Sequence, residues 1–159
     1  MNIHYRPPSL EDGKSIHQLV LDSGVLDVNS AYLYFLLADH FGETCMVAES
    51  DDRLLGFVTA YRLPKDPAVL FVWQIGVSSE ARGQGVASGL LEALQNQPFF
   101  DQIREVQLTI SPSNKASQAL FRKWADKLGT PIETRDYLTE HHLGDAHEPE
   151  LLYTMHLKS

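Results

Sequence analysis

The chain has 159 residues and a formal net charge of −8, with 43% hydrophobic and 21% charged residues. This length favours one domain with its own core, and the acidic charge disfavours general binding of nucleic acid through a basic face. Because no run of about 18 apolar residues and no basic start before an apolar block is visible, we expect no membrane span, no signal peptide and a cytoplasmic location.

The chain begins with a predicted strand and a predicted helix. Ile3–Arg6 is a short strand candidate, and the two prolines that follow it cannot continue a strand ladder. Ser9 and Asp12 have the spacing of a capping box, so we expect a helix to open there. Gly24 is suited to end that helix.

A second helix and a hairpin come next. A helix is predicted over Tyr32–His40, with Asn29 or Ser30 as its cap. Strands are predicted over Thr44–Ser50 and Leu54–Leu63, joined by the polar turn D-D-R, and a proline-bounded loop follows. The single cysteine of the chain lies in the first of these strands and is interpreted as a small buried hydrophobe rather than a nucleophile.

The stretch from Val69 to Leu94 organises the prediction. Val69–Val77 is an apolar run of strand length, and it leads through a polar turn into R-G-Q-G-V-A. A helix is predicted next from four apolar residues at helical spacing: Val86, Leu90, Leu91 and Leu94. Gly83 and Gly85 allow close approach of the backbone, and the free N–H groups of the helix start attract anions. This stretch predicts a phosphate-binding loop.

Two common phosphate loops do not fit this stretch. A Walker loop requires Gly-Lys-Ser/Thr, which is absent. A dinucleotide-binding fingerprint requires G-x-G-x-x-G directly after the strand, whereas Gly83, Gly85 and Gly89 are spaced G-x-G-x-x-x-G behind a four-residue turn. The alternative is an ordinary strand-turn-helix connection in which the glycines serve only the turn.

The last third completes a β-α-α-β-β-β-α-β-α-β-β order. Its predicted elements are a strand at 106–110, a helix at 115–128 ended by Gly129, a strand at 130–137, a polar stretch at 138–149 and a strand at 151–157. The apolar side of the predicted helix consists of Ala116, Ala119, Leu120, Phe121 and Trp124.

The loop R-x-x-G-x-A, formed by Arg82, Gly85 and Ala87, resembles the pyrophosphate loop of the GNAT superfamily of acetyl-CoA-dependent N-acetyltransferases. The element order matches that fold across essentially the whole chain. The resemblance implies one α/β domain over residues 1–159, with a mixed, mostly antiparallel twisted sheet, a splay at the fourth strand and helices on both faces.

The resemblance also assigns cofactor-binding residues for acetyl-CoA. The pyrophosphate is expected at Arg82, Gly83, Gln84, Gly85, Val86, Ala87 and Ser88. Backbone groups of Ile75 and Val77 are expected to bond the pantetheine arm and to stabilise the thioester oxygen, while their side chains are plain core. Asn114 matches a position that contacts the pantetheine arm, and a plain helix cap is compatible with that role. Positive charge for the phosphates is expected from Arg82 and the group Lys115, Arg122 and Lys123.

Three further segments resemble the L-2,4-diaminobutyrate N-acetyltransferases of the ectoine pathway. They are L-D-V-N-S with Y-L-Y, F-V-W-Q, and H-E-P-E-L-L-Y. Those enzymes acetylate the γ-amine of a small diamine, and the resemblance implies the same substrate and a homodimer.

Charges and rings in those segments suit such a substrate, and we predict Asp27, Asn29, Trp73, His147, Glu148 and Glu150 as substrate-binding residues. Carboxylates hold ammonium groups, and the face of Trp73 attracts a cation. Each of these residues also has a purely structural alternative. Asp27 and Asn29 would then cap a helix, Trp73 would belong to the core, and Glu148 and Glu150 would lie in a solvated loop. The group that holds the substrate carboxylate is not identified.

Proton transfer is the least determined part of the prediction. His147 or a glutamate such as Glu148 is the expected base, directly or through one water. The tyrosine that often protonates the leaving thiolate in the family is replaced by Phe121. The thiolate leaves unaided, or Tyr153 or Tyr137 supplies the proton. We expect no acetyl-enzyme, and no metal because an H-E-x-x-H helix is absent.

Two rival functions remain at this point. An acetyltransferase for another small diamine or amino acid differs by one methylene, which changes selectivity by only about 1–3 kcal/mol. A non-catalytic acyl-CoA sensor is favoured by Phe121 and disfavoured by the acidic and aromatic residues above.

Overall fold

The computed structural model describes residues 2–144 and 146–157. Its strands are β1 His4–Arg6, β2 Met46–Ser50, β3 Arg53–Leu63, β4 Asp66–Val77, β5 Glu105–Ile110, β6 Ile132–Leu138 and β7 Glu150–His156. Its helices are α1 Gly13–Ser23, α2 Ala31–His40, α3 Val86–Gln95, α4 Lys115–Leu128 and α5 Glu140–Leu143, with 3₁₀ turns at Leu10–Asp12, Gly42–Thr44, Ser79–Ala81 and Pro98–Gln102.

The seven strands form one mixed sheet in the order β1-β2-β3-β4-β5-β7-β6. β4 and β5 are parallel, and the pairs β1–β2, β2–β3, β5–β7 and β6–β7 are antiparallel. The ladder between β4 and β5 joins Val69–Val72 to Glu105–Leu108, so the second half of β4 lies beyond its last pair. The predicted mixed, mostly antiparallel sheet is confirmed.

The chain divides into two compact units. The first comprises Met1–Tyr61 and Trp73–Asp101, and the second comprises Arg62–Val72 and Gln102–Ser159. β4 passes from one unit to the other between Val72 and Trp73, where its ladder with β5 also ends. The single domain over residues 1–159 stays a prediction.

The core of the first unit joins the two N-terminal helices to two strands. Ile16 and Val20 on α1 bury one face of that helix, as their i, i+4 spacing predicts, and Leu19 packs at the edge. They contact Tyr34 on α2 and Phe57 on β3, both fully buried. This cluster fixes α1 and α2 against the sheet.

Helix α3 approaches β1 closely because Gly89 has no side chain. A Cβ atom at Gly89 would lie 2.1 Å from the Tyr5 hydroxyl oxygen, far inside any allowed contact. The third glycine of the G-x-G-x-x-x-G run therefore serves helix packing, while the first two serve the loop that precedes α3.

The second unit has a core of alternating strand residues. Val106, Leu108 and Ile110 on β5 are buried, as the period-two pattern predicts. Phe121 and Trp124 of α4 are buried too, but Ala116 and Ala119, which the pattern placed on the apolar side, are exposed. The large side chains decide which face of α4 is buried, because they remove more apolar area from water.

Three of the differences between the predicted and observed elements bear on the packing of the chain. The loop after β3 is shorter, since Asp66 and Pro67 belong to β4. β2 begins at Met46, because Thr44 lies in a 3₁₀ turn and donates its hydroxyl to the carbonyl of Ala60 at 2.6 Å. The polar stretch before β7 contains the short helix α5.

An ion triad ties the N-terminal strand to the first helix. The guanidinium of Arg6 bonds both oxygens of Asp12 at 2.8 and 3.0 Å and both oxygens of Glu49 at 2.9 and 3.1 Å. Burial acts to raise the pKa of Asp12, but hydrogen bonds from Arg6 and from the Ser9 backbone outweigh it, and the pKa lies below its ordinary value. The hydrogen bond from Arg6 likewise lowers the pKa of Glu49.

We predict that Arg6→Gln lowers the free energy of unfolding by about 1–3 kcal/mol at pH 7, since Asp12 is left mostly buried without its cation. Carboxylates with depressed folded pKa values stabilise the fold above their unfolded pKa of about 4, and this contribution is lost as the pH falls through the folded values. The difference between wild type and variant in urea unfolding should therefore shrink towards pH 3.

Arg53→Gln is the matched control, because Arg53 bonds Glu80 at 2.7 Å with both side chains largely exposed and should change stability little. Unfolding curves for Arg6→Gln that coincide with wild type at pH 7 would contradict a stabilising triad.

Candidate active site

The loop between β4 and α3 presents backbone N–H groups at an open helix start. Gly83 and Gly85 have φ angles of +79° and +74°, which favour glycine. Gly85 is the N-cap of α3 and has no side chain to bond the N–H groups of the first turn. A Cβ atom at Gly83 or Gly85 would meet nothing within 4 Å. The arrangement suits a phosphate that approaches the backbone.

Local hydrogen bonds hold this loop in place. The Ser78 N–H donates to the carbonyl of Leu55 at 2.7 Å, and the Ala81 N–H donates to the carbonyl of Ser78 at 3.0 Å. Ala81 and Val86 are buried and anchor the two ends of the loop, while Arg82 is exposed. The loop is therefore a turn held by local contacts that carries an exposed cationic side chain.

A cavity of about 360 Å³ lies beside this loop in the first unit. Arg82 and Val77 line it together with residues of α1 and of the β2–β3 hairpin. The exposed pair Arg53–Glu80 also lines it, so the positive charge of Arg53 is already compensated. Arg82 is the cation of the loop itself.

The second half of β4 carries one exposed aromatic residue and one buried amide. The side chain of Trp73 is 37% exposed, which argues against a purely core role. Gln74, the next residue, is 6% exposed and lies on the opposite side of the strand. Ile75 and Val77 are half-buried, and they lie beyond the ladder of β4 with β5.

The segment Leu26–Ser30 carries Asp27 and Asn29 ahead of α2. The N-cap of α2 is Ser30, so the alternative of Asp27 or Asn29 as its cap is not what the structure shows. The Asn29 amide donates to the Tyr34 hydroxyl at 3.3 Å and to the Asp27 carbonyl at 3.5 Å. The carbonyl of Asp27 also accepts from the Gln74 amide at 2.9 Å, while the residue itself is exposed.

Asn114 caps helix α4 in the second unit. Its side-chain oxygen accepts from the Ser117 N–H at 3.1 Å. The cap role considered from the sequence is confirmed, and it leaves the amide nitrogen of Asn114 on an exposed residue. The three predicted basic residues of α4, Lys115, Arg122 and Lys123, are exposed.

The H-E-P-E segment is joined to the start of α4. The Ser113 hydroxyl donates to the Glu148 carboxylate at 2.5 Å, and the Thr109 hydroxyl donates to Glu150 at 3.3 Å. Nδ1 of His147 lies 2.6 Å from the carbonyl oxygen of Glu148. A carbonyl only accepts, so Nδ1 of His147 carries the proton of this contact.

Residues considered for other steps have clear positions. Phe121 is buried, with its ring centroid 6.3 Å from that of Trp124. Tyr153 is buried and Tyr137 is half-exposed. Cys45 is 1% exposed, and burial raises the pKa of its thiol to about 11, which agrees with an inert hydrophobe.

The hydrogen-bond contacts of Gln74, Tyr34 and Ser113 were not predicted from the sequence. The signal for Gln74 was an amide at a position where strand alternation points into the core. Tyr34 and Ser113 gave no comparable signal, because their partners lie 40 and 35 residues away.

Residues 2–144 and 146–157 hold no group of three or more His, Cys, Asp or Glu side chains arranged to bind a metal. No helix among these residues is long and apolar enough to cross a membrane.

Two relatives carry the same enzyme name. An L-2,4-diaminobutyric acid acetyltransferase from Halalkalibacterium halodurans is 45% identical over 147 residues, which cover 92% of this chain and 77% of that protein. One from Marinococcus halophilus is 42% identical, and the match covers 96% of this chain and 88% of the relative.

Solved structures agree in fold. Diaminobutyrate acetyltransferase EctA from Paenibacillus lautus, in complex with its substrate L-2,4-diaminobutyric acid and coenzyme A, matches with a TM-score of 0.93 and 39% identity over 98% of this chain and 95% of that chain. Ard1 from Thermoplasma volcanium matches with a TM-score of 0.78 and 18% identity over 99% of this chain and all of the other, which shows the fold alone.

The family model described as acetyltransferase (GNAT) family matches residues 14–125. This match spans the phosphate-binding loop, β5 and most of α4. The fold predicted from the loop and the element order is confirmed, and the chain belongs to the GNAT family of acetyltransferases.

Proposed function

We propose that the protein transfers the acetyl group of acetyl-CoA to the γ-amine of L-2,4-diaminobutyrate, giving N4-acetyl-L-2,4-diaminobutyrate on the route to the compatible solute ectoine. The observation that carries this proposal is the match to diaminobutyrate acetyltransferase EctA over 98% of the chain at 39% identity. Family membership makes the chain an acetyl-CoA-dependent N-acetyltransferase, with acetyl-CoA as co-substrate.

The loop before α3 holds the pyrophosphate of acetyl-CoA in this proposal. Its donors are backbone N–H groups of Gln84, Gly85, Val86 and Ala87, with Arg82, Gly83 and Ser88 beside them. Backbone groups of Ile75 and Val77 bond the pantetheine arm and stabilise negative charge on the thioester oxygen, a role worth about 3–4 kcal/mol per well-placed donor. Asn114 contributes its amide nitrogen to the arm.

Carboxylates and one ring bind the diamine. Asp27, Glu148 and Glu150 are the carboxylates proposed for ammonium groups, and Trp73 offers its exposed face to a cation. Asn29 contributes to binding through the segment it shares with Asp27. Glu148 contributes in the position set by Ser113. Opposite charges favour the protonated form of an amine, so a carboxylate that only binds the substrate belongs at the α-ammonium rather than at the reacting nitrogen.

His147 prepares the reacting amine. An alkylamine has a pKa near 10, so at pH 7 only about one molecule in a thousand is neutral, a cost of about 4 kcal/mol. Nε2 of His147 accepts the proton directly or through one water, and Glu148 is the second candidate. The neutral amine then forms the new C–N bond as the C–S bond breaks, and the second proton of the nitrogen passes to water or to the departing thiolate. The thiolate of coenzyme A, with a pKa near 8.5, leaves without a tyrosine at Phe121.

Two broader properties accompany this proposal. We propose that two copies of the chain form a homodimer, as the resemblance to the diaminobutyrate acetyltransferases implies. A cytoplasmic location suits an enzyme that uses acetyl-CoA, and the single buried cysteine needs no oxidising compartment.

The direct test is thiol release from acetyl-CoA with a panel of 2,4-diaminobutyrate, 2,3-diaminopropionate, ornithine, lysine and putrescine. We expect a clear preference in kcat/KM for 2,4-diaminobutyrate, with the acetyl group mapped to the γ-nitrogen by NMR. Preference for another amine would overturn the substrate, and acetyl-CoA binding without release of thiol by any amine would indicate a sensor.

Gly85→Val should raise the KM for acetyl-CoA at least about tenfold, because a branched side chain at φ +74° distorts the loop and blocks the phosphate. Gly129→Val is the matched control, since Gly129 has a φ of +72° with equally open surroundings at the end of α4. Both variants carry similar backbone strain. An equal KM for acetyl-CoA in the two variants would remove the loop from cofactor binding.

Asp27→Asn should raise the KM for diaminobutyrate about tenfold or more, because the amide keeps the shape and loses the charge that holds an ammonium group. The KM for acetyl-CoA should stay within about twofold of wild type. Asp22→Asn is the control, since Asp22 is an exposed carboxylate of α1 bonded by Gln18 at 2.9 Å. Unchanged kinetics in Asp27→Asn would place the ammonium site elsewhere.

A further inference from the structure

We infer that Gln74 is a positioning residue that fixes the substrate-binding segment Asp27–Asn29 through a buried relay of hydrogen bonds. The inference rests on the proposed function, because Asp27 is a substrate residue only within that proposal. The relay itself lies in one unit of the structure and involves Gln74, Tyr34 and the two ends of the segment.

Gln74 is a polar residue in an otherwise apolar environment. It is 6% exposed on a strand whose neighbouring inward-facing residue, Val72, is 2% exposed. A buried amide without partners costs several kcal/mol, so its hydrogen bonds determine whether it is tolerated there. Its side-chain oxygen accepts from the Tyr34 hydroxyl at 2.8 Å, and its side-chain nitrogen donates to the Asp27 carbonyl at 2.9 Å.

The direction of each hydrogen bond follows from the partners. The carbonyl of Asp27 only accepts, so the NH₂ group of Gln74 must face it and the amide oxygen must face Tyr34. The Tyr34 hydroxyl then donates to Gln74 and keeps a lone pair, which accepts from the Asn29 amide at 3.3 Å. The relay runs from Asn29 through Tyr34 and Gln74 back to Asp27.

This relay links the segment to rigid elements at both of its ends. Tyr34 is 0% exposed in the core cluster of α1, α2, β2 and β3, and Gln74 belongs to the strand that also carries Trp73. Leu26 adds an apolar anchor, because its side chain fills the space beside Gly76. The backbone of Asp27 is thereby held while the residue remains exposed. The relay thus sets where the carboxylate of Asp27 can reach.

A second hydrogen bond of Gln74, made by its backbone, allows an effect on core stability to be distinguished from an effect on the position of the segment Asp27–Asn29. Thr59 is buried, and its hydroxyl accepts from the backbone N–H of Gln74 at 3.2 Å. Removing that hydroxyl removes a hydrogen bond of Gln74 in the same core. It does not remove any bond to Asp27 or Asn29, so Thr59→Val is a matched control for Gln74 variants.

The test compares Gln74→Glu, Tyr34→Phe and Thr59→Val. Gln74→Glu keeps the shape and the acceptor for Tyr34, and its ionised carboxylate cannot donate to Asp27. Because burial raises the pKa of a carboxyl and the protonated form still donates, kinetics and exchange are measured from about pH 7 to 9. Tyr34→Phe keeps the ring and removes the middle link. We expect the KM for diaminobutyrate to rise about tenfold in both, the equivalent of one lost hydrogen bond, with the KM for acetyl-CoA within about twofold of wild type. Thr59→Val should lower the Tm and leave both KM values near wild type.

Amide hydrogen exchange gives a readout that needs no substrate. Backbone amides of residues 26–30 should exchange faster in Gln74→Glu and Tyr34→Phe, and at the wild-type rate in Thr59→Val. If exchange rises as expected while wild type does not acetylate diaminobutyrate, the proposed function fails and the relay stands. Unchanged exchange in folded Gln74→Glu, or an equal rise of the diaminobutyrate KM in Thr59→Val, would overturn the positioning role.

Discussion

A chain of net charge −8 that uses coenzyme A has to hold a polyanion against its own overall charge. In the proposed site, backbone groups meet this constraint. Gly85 begins α3 without a side-chain cap, and the N–H groups of the first helical turn supply partial positive charge. Unlike the charge of an arginine, this charge is not cancelled by an ion pair with a surface carboxylate. Arg82 adds one full charge at the same loop, whereas Arg53 is already paired with Glu80. A concentrated local field therefore replaces a broad basic surface.

Rigidity on the substrate side has a different origin. The segment Leu26–Ser30 has no regular structure, yet Gln74 bonds Asp27, Tyr34 bonds Asn29, and Leu26 packs beside Gly76. Buried polar bonds of this kind are worth little net stability but strongly penalise alternative arrangements, because every alternative leaves a polar group unsatisfied. In the second unit, the Ser113–Glu148 bond gives the irregular H-E-P-E segment a comparable attachment to the start of α4.

Local chemistry determined what the sequence could predict. The conformation of the loop between β4 and α3 was predictable, because glycines at positive φ and a helix start leave a signature within six residues. The helix over Lys115–Leu128 was predicted to the residue, with Asn114 as cap and Gly129 as end. The exposed face of α4 was predicted less well, since Ala116 and Ala119 carry too little apolar area to decide burial.

Long-range polar contacts were not predictable in the same way. Gln74 meets Tyr34 and Asp27 across 40 and 47 residues of sequence, and periodicity carries no information about such pairs. The proton on Nδ1 of His147 is likewise set by a carbonyl whose position only the folded segment reveals. The sequence therefore indicated which residues to propose for substrate binding, but not which contacts hold them in place.

The buried state of Cys45 has a practical consequence for how turnover is followed. Acyl transfer from coenzyme A liberates a thiol, and aromatic disulfide reagents detect it through a coloured leaving group after attack by a thiolate. The only thiol of the protein is 1% exposed with a pKa of about 11, so almost none of it is ionised or accessible near neutral pH. A colorimetric trace from the folded enzyme will therefore report product from the first seconds, with no background from the catalyst to subtract.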